Sequence, residues 1–457
     1  MTEGVRPPDE ALDVVNRVRQ ALAQPSAGTE RAPLRPAQVA AVEERRRFDF
    51  GTLPEYEMLK LQKAAGEIAG IENPFYRLHD GRAAETTSVE GREVINFSSY
   101  DYLGLNGHPD VSAAAKAAID KFGTSVGASR LTAGERQVHR DLEALLAELH
   151  GAEDALSFVS GHATNVSVIG GLLGPDDLLV SDALIHNSVV EGAKLSGAKR
   201  ILCPHGDVEA IERALRLNRR RHRRTLIIVE GLYSMDGDVP DLAALVRLKR
   251  RYDAWLMVDE AHSVGVLGAT GRGIAEEQGV DPADVDIWMG TLSKALASTG
   301  GYVAGSRKLI ELLKYTSPGF VYSVGGCPSV TAAAGAAIEA MRREPWRLAK
   351  LRENGRAFAA GAKARGLDTG LSIGASVVPI IVGNSPNAVI LSQRLLARGY
   401  NVIPIIFPGV AENQSRLRFF ITSRHTPEHI DGVLDAIAEE LPEIRKAPSF
   451  INVVAGR

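Results

Sequence analysis

Residues 255–265, WLMVDEAHSVG, put an acid, Asp259, at the end of an apolar run and an imidazole, His262, three positions later. In an open parallel sheet, ligands bind outside the carboxyl ends of the strands. A carboxylate buried there is costly without a cation. A protonated pyridine nitrogen is a suitable partner, and an acid–pyridinium pair is the usual arrangement in pyridoxal phosphate sites. A magnesium-holding acid is the competing reading, but no GxxxxGK[ST] loop occurs to cradle a nucleotide. Lys294 lies 35 residues beyond Asp259, just past another apolar run. Poor solvation at a strand end lowers a lysine pKa and makes a Schiff-base amine. Thr291 and Ser293 flank it with hydroxyls suited to a phosphate.

Three further segments carry candidate groups. SFVSGHATN (157–165) runs from a strand through Gly161 into a helix, whose first amides, at Gly161 and His162, suit an anion. The glycine permits close approach of a phosphate, and His162 matters for its N–H rather than its ring. SDALIHNSVVEG (181–192) presents His186, either a capping or core histidine or an imidazole lying on a planar cofactor and shuttling a proton. SRLRFFITSRHT (415–426) holds Arg416 and Arg418, whose two-residue spacing puts both on one strand face. One suits a bidentate clamp on a substrate carboxylate, the other an ion pair.

These groups need a scaffold. Short apolar runs at Ala155–Ser160, Leu178–Ser181, Ile201–Pro204, Thr225–Glu230, Trp255–Asp259, Asp286–Met289 and Tyr302–Ala304 read as strands, interleaved with helical stretches such as Asp207–Arg216 and Leu242–Tyr252. Runs that do not alternate indicate strands covered on both faces by crossover helices, an α/β architecture. Further strands (Val377–Ile381, Leu417–Ile421) and a closing helix (Pro427–Glu440) suit a smaller α+β domain. Upstream, Tyr56–Ala69 reads as a helix and Ser88–Ser98 as strand broken at Glu90-Gly91, while Gln24–Arg35 is rich in Pro, Ala, Gly and Ser, as in a linker. The expected division is an extension (1–55), a helix-and-strand arm (56–108), a large cofactor-binding domain (109–340) and a small domain (341–457).

Composition bounds the function. With 53 Lys+Arg against 56 Asp+Glu, the chain lacks the basic excess that nucleic-acid binding requires. Two cysteines, Cys203 and Cys327, are too few for a disulfide framework or a cysteine-rich metal site. The polar N-terminus and the lack of an 18-residue apolar run lead to the expectation of a cytoplasmic protein without a membrane span. Six arginines fall between Arg216 and Arg224; they read as a solvated helix end, with an acidic carrier-protein dock as the alternative.

The ordered set NFSSYDYLGL, GTSVGASRLTAGERQVHRDLE, SGHATN, SDALIHNSVVEG, EGLYSMDGD, VDEAHSVGVLGATGRG, GTLSKALASTGG and SRLRFFITSRHT resembles the α-oxoamine synthase family, from about Asn96 to about Thr426. The resemblance implies a fold-type-I transferase with a mostly parallel seven-stranded sheet. It implies pyridoxal 5'-phosphate bound by Lys294, with Lys294 then the base at Cα, Asp259 the partner of the pyridinium nitrogen, and His262 near the phenolic oxygen. It further implies His186 stacked on the ring, Gly161, His162 and Thr291 on the phosphate, Ser234 and Glu230 near the cofactor oxygen, and Arg418 on the substrate carboxylate. Family members are homodimers with sites at the interface, and FVYSVGGCP (320–328), with Ser323, matches the stretch reaching the partner's phosphate. Val324 and Gly325 depart there from the hydroxyls common in the family. Tyr100 stands where several members carry Asn, which leans toward serine or alanine rather than glycine. The implied reaction is a decarboxylative condensation of a small amino acid with an acyl thioester of coenzyme A or a carrier protein. The alternatives are another enzyme of this fold, an aminotransferase or decarboxylase, or a non-catalytic partner subunit.

Overall fold

A computed structural model describes residues 49–446 apart from 69. The linker expected at Gln24–Arg35 lies outside the described residues. The strands, in chain order, are β1 (His79–Asp80), β2 (Thr86–Val89), β3 (Arg92–Asn96), β4 (Asp154–Phe158), β5 (Leu178–Asp182), β6 (Lys199–Cys203), β7 (Thr225–Glu230), β8 (Trp255–Asp259), β9 (Ile287–Thr291), β10 (Gly301–Gly305), β11 (Val377–Gly383), β12 (Tyr400–Asn401), β13 (Pro404–Ile405) and β14 (Ser415–Phe420).

Seven strands form the central sheet in the order β4-β10-β9-β8-β7-β5-β6. All neighbours are parallel except β10, which runs antiparallel to both β4 and β9. Every residue of β5, β7, β9 and β10 is buried, so helices cover both faces and the sequence shows no alternation. The expected boundaries of β7 and β8 are reproduced. β9 and β10 extend into Thr291 and Gly301, because backbone pairing continues past the apolar side chains.

The crossover helices begin at polar caps. Ser160, Asp207 and Asp241 each accept an amide of the first turn, starting the helices Gly161–Leu172, Val208–Asn218 and Leu242–Arg251. The chain thus leaves each strand and turns back immediately. One sheet edge collects Phe158, Asp182, Glu230, Asp259 and Thr291 at strand ends, with Gly301 entering beside Thr291.

Two smaller sheets complete the frame. Hairpin β2–β3 turns at Glu90-Gly91, both at positive φ, which explains the break in the Ser88–Ser98 run. The antiparallel β11-β14-β13 sheet belongs to the smaller C-terminal domain. Phe97, after β3, accepts from the amide of Phe420 and rests edge-on against Phe419, 5.5 Å between centroids. This junction carries Tyr100 and Tyr102 over the strand ends of the large sheet.

Candidate active site

Asp259 ends β8 and is buried. Its Oδ1 accepts the Ala261 amide at 3.0 Å and its Oδ2 accepts Asn165 Nδ2 at 2.9 Å. The turn that follows brings His262 beneath Tyr102, whose hydroxyl lies 2.7 Å from Nδ1. Burial holds the His262 pKa well below the usual histidine range, with the charges of Lys294 and Arg418 acting the same way. Glu230 stands beside Asp259 on β7. Burial, then repulsion from Asp259, raises its pKa to about 8; Oε2 accepts the Ser234 amide at 2.9 Å, and Oε1 has no partner among the described residues.

Lys294 follows β9 and is partly buried. Desolvation lowers its pKa to about 8 against the opposing pull of Asp259 and Glu230, with Arg418 adding to the decrease. Its Nζ is 5.7 Å from the Tyr100 ring centroid. Tyr100 is 40% exposed and sets its edge against Phe420 at 4.7 Å and His262 at 6.2 Å. Lys294, Asp259, His262, His186 and Arg418 therefore share one electrostatic environment.

His186 is a capping histidine, the first of the two sequence readings. It caps the helix Asn187–Ser196, Nδ1 accepting the Ser188 amide at 3.2 Å, and it belongs to the cluster. Desolvation in the cleft lowers its pKa; Asp259 opposes this and Lys294 reinforces it. Ser188 Oγ lies 2.7 Å from the same nitrogen and accepts Asn165 Nδ2 at 2.9 Å.

At the helix Gly161–Leu172, Ser160 Oγ accepts from Ala163, leaving the amides of Gly161 and His162 without partners among the described residues. A side chain at Gly161 would come 3.1 Å from Thr291 Oγ1, and one at Gly301 would come 2.6 Å from Gly161 Cα. The cradle is therefore open only because both residues are glycine. Thr291 donates to the Gly300 carbonyl at 2.9 Å and lies 2.8 Å from Ser293 Oγ.

On β14 one of the two arginines makes the expected ion pair. Arg416 is buried and paired with Asp236 at 2.6 Å. Arg418 Nη1 donates to the Ser234 carbonyl at 2.8 Å, its guanidinium lies 4.8 Å from the Phe420 centroid, and Nε has no partner among the described residues. Among the described residues Ser323 makes no bond to the cluster: its segment is tied to the loop before the helix Gln137–His150 by Gly325 N to Ala128 O (3.0 Å) and to that helix by His139 Nε2 to Gly326 O (2.9 Å). Tyr322 and Val324 beside it are 86% and 52% exposed.

The arginine run lies before the amino end of β7, its last member Arg224 about 20 Å from Glu230 at a rise of about 3.3 Å per residue. Arg219 pairs with Asp253, Arg223 with Asp177, and Arg224 donates to the Leu172 carbonyl. The run follows a helix end and lies at the opposite end of the strands from the site.

Sequence reading missed Asn165, Ser188, Tyr102 and His205. His205 bridges Asp182 (Nδ1, 2.9 Å) and Asp238 (Nε2, 3.0 Å) below the Ser234 loop, and the two carboxylates raise its pKa to about 10. Each was visible as a polar residue in a quoted or neighbouring segment, but its partner is remote in sequence.

An acid at a strand end, an amine of lowered pKa, two free amides behind glycines and an unpaired arginine donor are the groups a phosphorylated pyridine aldehyde and an amino acid need, so the residues fit pyridoxal phosphate. No described helix is long and apolar enough to cross a membrane.

Comparison with known proteins agrees. The family model for aminotransferase class I and II matches residues 92–437. The 8-amino-7-oxononanoate synthase 1 of Bacillus velezensis is 39% identical over 394 residues, 86% of this chain and 97% of that protein. The 8-amino-7-oxononanoate synthase of Geobacter sulfurreducens is 41% identical over 386 residues, 82% and 96% respectively. Among solved structures, the serine palmitoyltransferase of Sphingomonas wittichii superposes with TM-score 0.82 at 30% identity, covering 88% of this chain and 100% of that one. The chain belongs to the aminotransferase class I and II family and, within it, to the pyridoxal phosphate-dependent α-oxoamine synthases.

Proposed function

We propose that this enzyme joins a small amino acid to an acyl thioester, releasing carbon dioxide, free thiol and an α-aminoketone. The observation carrying this reading is the convergence of Lys294, Asp259, His262 and Arg418 beside Tyr100 at one edge of the sheet.

The amides of Gly161 and His162 would hold the cofactor phosphate, with Thr291 beside them. Asp259 would hold a proton at the pyridine nitrogen, its geometry fixed by Asn165 and the Ala261 amide. His262, held by Tyr102, and Ser234 would be the groups near the phenolic oxygen. Bound pyridoxal phosphate supplies an electrophilic aldehyde and an electron sink for the pair left at Cα. Lys294, with a pKa of about 8, is poised to take the Cα proton near neutrality. Arg418 has an unpaired Nε with which to hold the amino-acid carboxylate. Tyr100 and Phe420, in edge contact at 4.7 Å, border the space beside it.

The relatives' name describes a nine-carbon chain ending in CH3–CH(NH2)–CO. Its CH3–CH(NH2) end is what decarboxylated alanine contributes, the CO being the carbonyl of the acyl thioester, which favours alanine; the serine palmitoyltransferase neighbours keep serine as the second reading. We further propose a homodimer in which Ser323 and its exposed neighbours serve the second site. Both substrates are soluble metabolites or carriers, consistent with a cytoplasmic enzyme.

The test supplies alanine, serine and glycine separately with a panel of acyl-CoAs and follows carbon dioxide and thiol. Release that needs both substrates, prefers alanine and disappears in Lys294→Ala is expected. Carbon dioxide from amino acid alone, or amine transfer to a keto acid, would replace this reading with a decarboxylase or an aminotransferase.

A further inference from the structure

Four side chains form one hydrogen-bonded line from the strand end to the cleft: Asp259 Oδ2 to Asn165 Nδ2 (2.9 Å), Asn165 Nδ2 to Ser188 Oγ (2.9 Å), and Ser188 Oγ to His186 Nδ1 (2.7 Å). We infer that Asn165 and Ser188 are positioning residues that lock His186 as the tautomer with its proton on Nε2, so that it faces substrate as a hydrogen-bond donor and not as a base. This rests on the proposed function for its consequence, but not for the tautomer itself.

The direction of each bond follows from what each group can do. An ionised carboxylate only accepts, so Asn165 must turn its amide nitrogen to Asp259. That nitrogen has two hydrogens, and the second goes to Ser188 Oγ. The opposite amide orientation would set two acceptor oxygens against each other. Having accepted from Asn165, the Ser188 hydroxyl has its own proton to give, and Nδ1 of His186 is the acceptor within reach.

A second constraint reaches the same nitrogen from the main chain. The Ser188 amide, one of the first-turn N–H groups of the helix Asn187–Ser196, points at Nδ1 from 3.2 Å. A backbone N–H can only donate. Two donors on one ring nitrogen require a lone pair there, which puts the proton of the neutral imidazole on Nε2. The ring is neutral near pH 7 because desolvation and the Lys294 charge lower its pKa. Nδ1 is turned to the helix, and Nε2 is the edge left for a ligand.

The consequence is a division of labour. An Nε2–H group can stabilise negative charge growing on a carbonyl oxygen. It has no lone pair with which to compete for the Cα proton, which is left to Lys294. Asn165 also spends both donors on the line: its Oδ1 is buried without a partner among the described residues, a cost consistent with a residue kept for its donors.

The tautomer is read directly by long-range proton–nitrogen correlation on 15N-histidine-labelled protein free of cofactor and substrate, with His186→Gln identifying the resonances. The expected wild-type pattern is a single Nε2–H form. Ser188→Ala and Asn165→Ala are expected to admit a detectable Nδ1–H population, and Ser188→Thr, which keeps the hydroxyl, to restore the wild-type pattern. In turnover, Ser188→Ala should lower kcat by about tenfold or more while KM for the amino acid changes less than about twofold, the range seen when an orienting partner is lost. An Nδ1–H pattern in the wild type overturns the assignment, and wild-type spectra in both alanine variants overturn the role of Asn165 and Ser188. Because the spectra need no substrate, a wrong reaction would leave this result standing, and a wrong tautomer would leave the reaction standing.

Discussion

Glu230 and Asp259 stand side by side on adjacent parallel strands, both buried at the same end of the sheet. Burial and the neighbouring carboxylate raise Glu230 to about 8, so it stays protonated at neutrality while Asp259 serves the ring nitrogen. Two ionised acids side by side in this setting would repel, and the proton on Glu230 removes that conflict.

Glu230→Gln therefore imitates the form present at pH 7. For an acid whose folded pKa lies above its unfolded value, the unfolded chain releases its proton first, and stability falls as pH rises from about 4.5 to about 8. The glutamine variant lacks this loss. Denaturant titrations should find the two proteins equal near pH 4.5, the variant progressively more stable up to pH 8, and the gap constant above that. A gap that does not grow with pH means Glu230 is ionised throughout.

His205 shows the opposite sign. Asp182 and Asp238 lift it to about 10, so it is an imidazolium strut between β5, the β6–helix turn and the loop bearing Ser234. A histidine with a raised folded pKa contributes fully below about 6.5 and loses that contribution as pH climbs toward 10. His205→Gln should cost about 3 kcal/mol at pH 6, the penalty for stranding buried carboxylates, and progressively less by pH 10. Equal losses at both pH values would assign His205 a packing role only.

The contrast between these groups and the strands explains what the sequence reveals. β7 and β8 are unbroken apolar runs closed by an acid, so their ends, and with them Glu230 and Asp259, are legible from burial alone. The antiparallel direction of β10 is not, because a two-residue period carries no polarity. His205 meets Asp182 and Asp238 only through the order β6-β5-β7, and Asn165 meets Asp259 across 94 positions. Local pattern encodes which face a residue takes, whereas these contacts depend on how strands are shuffled within the sheet. Arg416 and Arg418 share one strand face, as their spacing implies, and which of them takes the ion pair is decided by Asp236, 180 positions away.

The glycines of the phosphate cradle supply a steric test. Gly301→Ala drives a methyl against Thr164 Oγ1 and to 2.6 Å from Gly161 Cα, displacing the first turn whose amides face the anion. Cofactor affinity, followed by absorbance titration, should fall at least about tenfold, the equivalent of losing one charge-assisted hydrogen bond. Gly335→Ala is the control. It meets only Leu145 at 3.5 Å within the helix Pro328–Arg343, and should stabilise by about 0.5–1 kcal/mol without altering affinity. Unchanged affinity in Gly301→Ala would remove the phosphate from this turn.

Arg416 and Arg418 sit two residues apart, yet their removal should fail in different ways. Arg416→Ala leaves Asp236 buried without its cation, a loss of about 3–5 kcal/mol that thermal unfolding would register. Arg418 is anchored to the Ser234 carbonyl through Nη1 only, and its Nε faces no acceptor, so Arg418→Ala should leave unfolding nearly unchanged. What it removes is the bidentate grip on a carboxylate. KM for the amino acid should rise about ten- to a hundredfold, as when a charge-assisted pair is lost, while KM for the thioester stays put. Arg418→Lys keeps the charge but not the fork, and should recover only part of that loss. A KM increase confined to the thioester would move the carboxylate site away from Arg418.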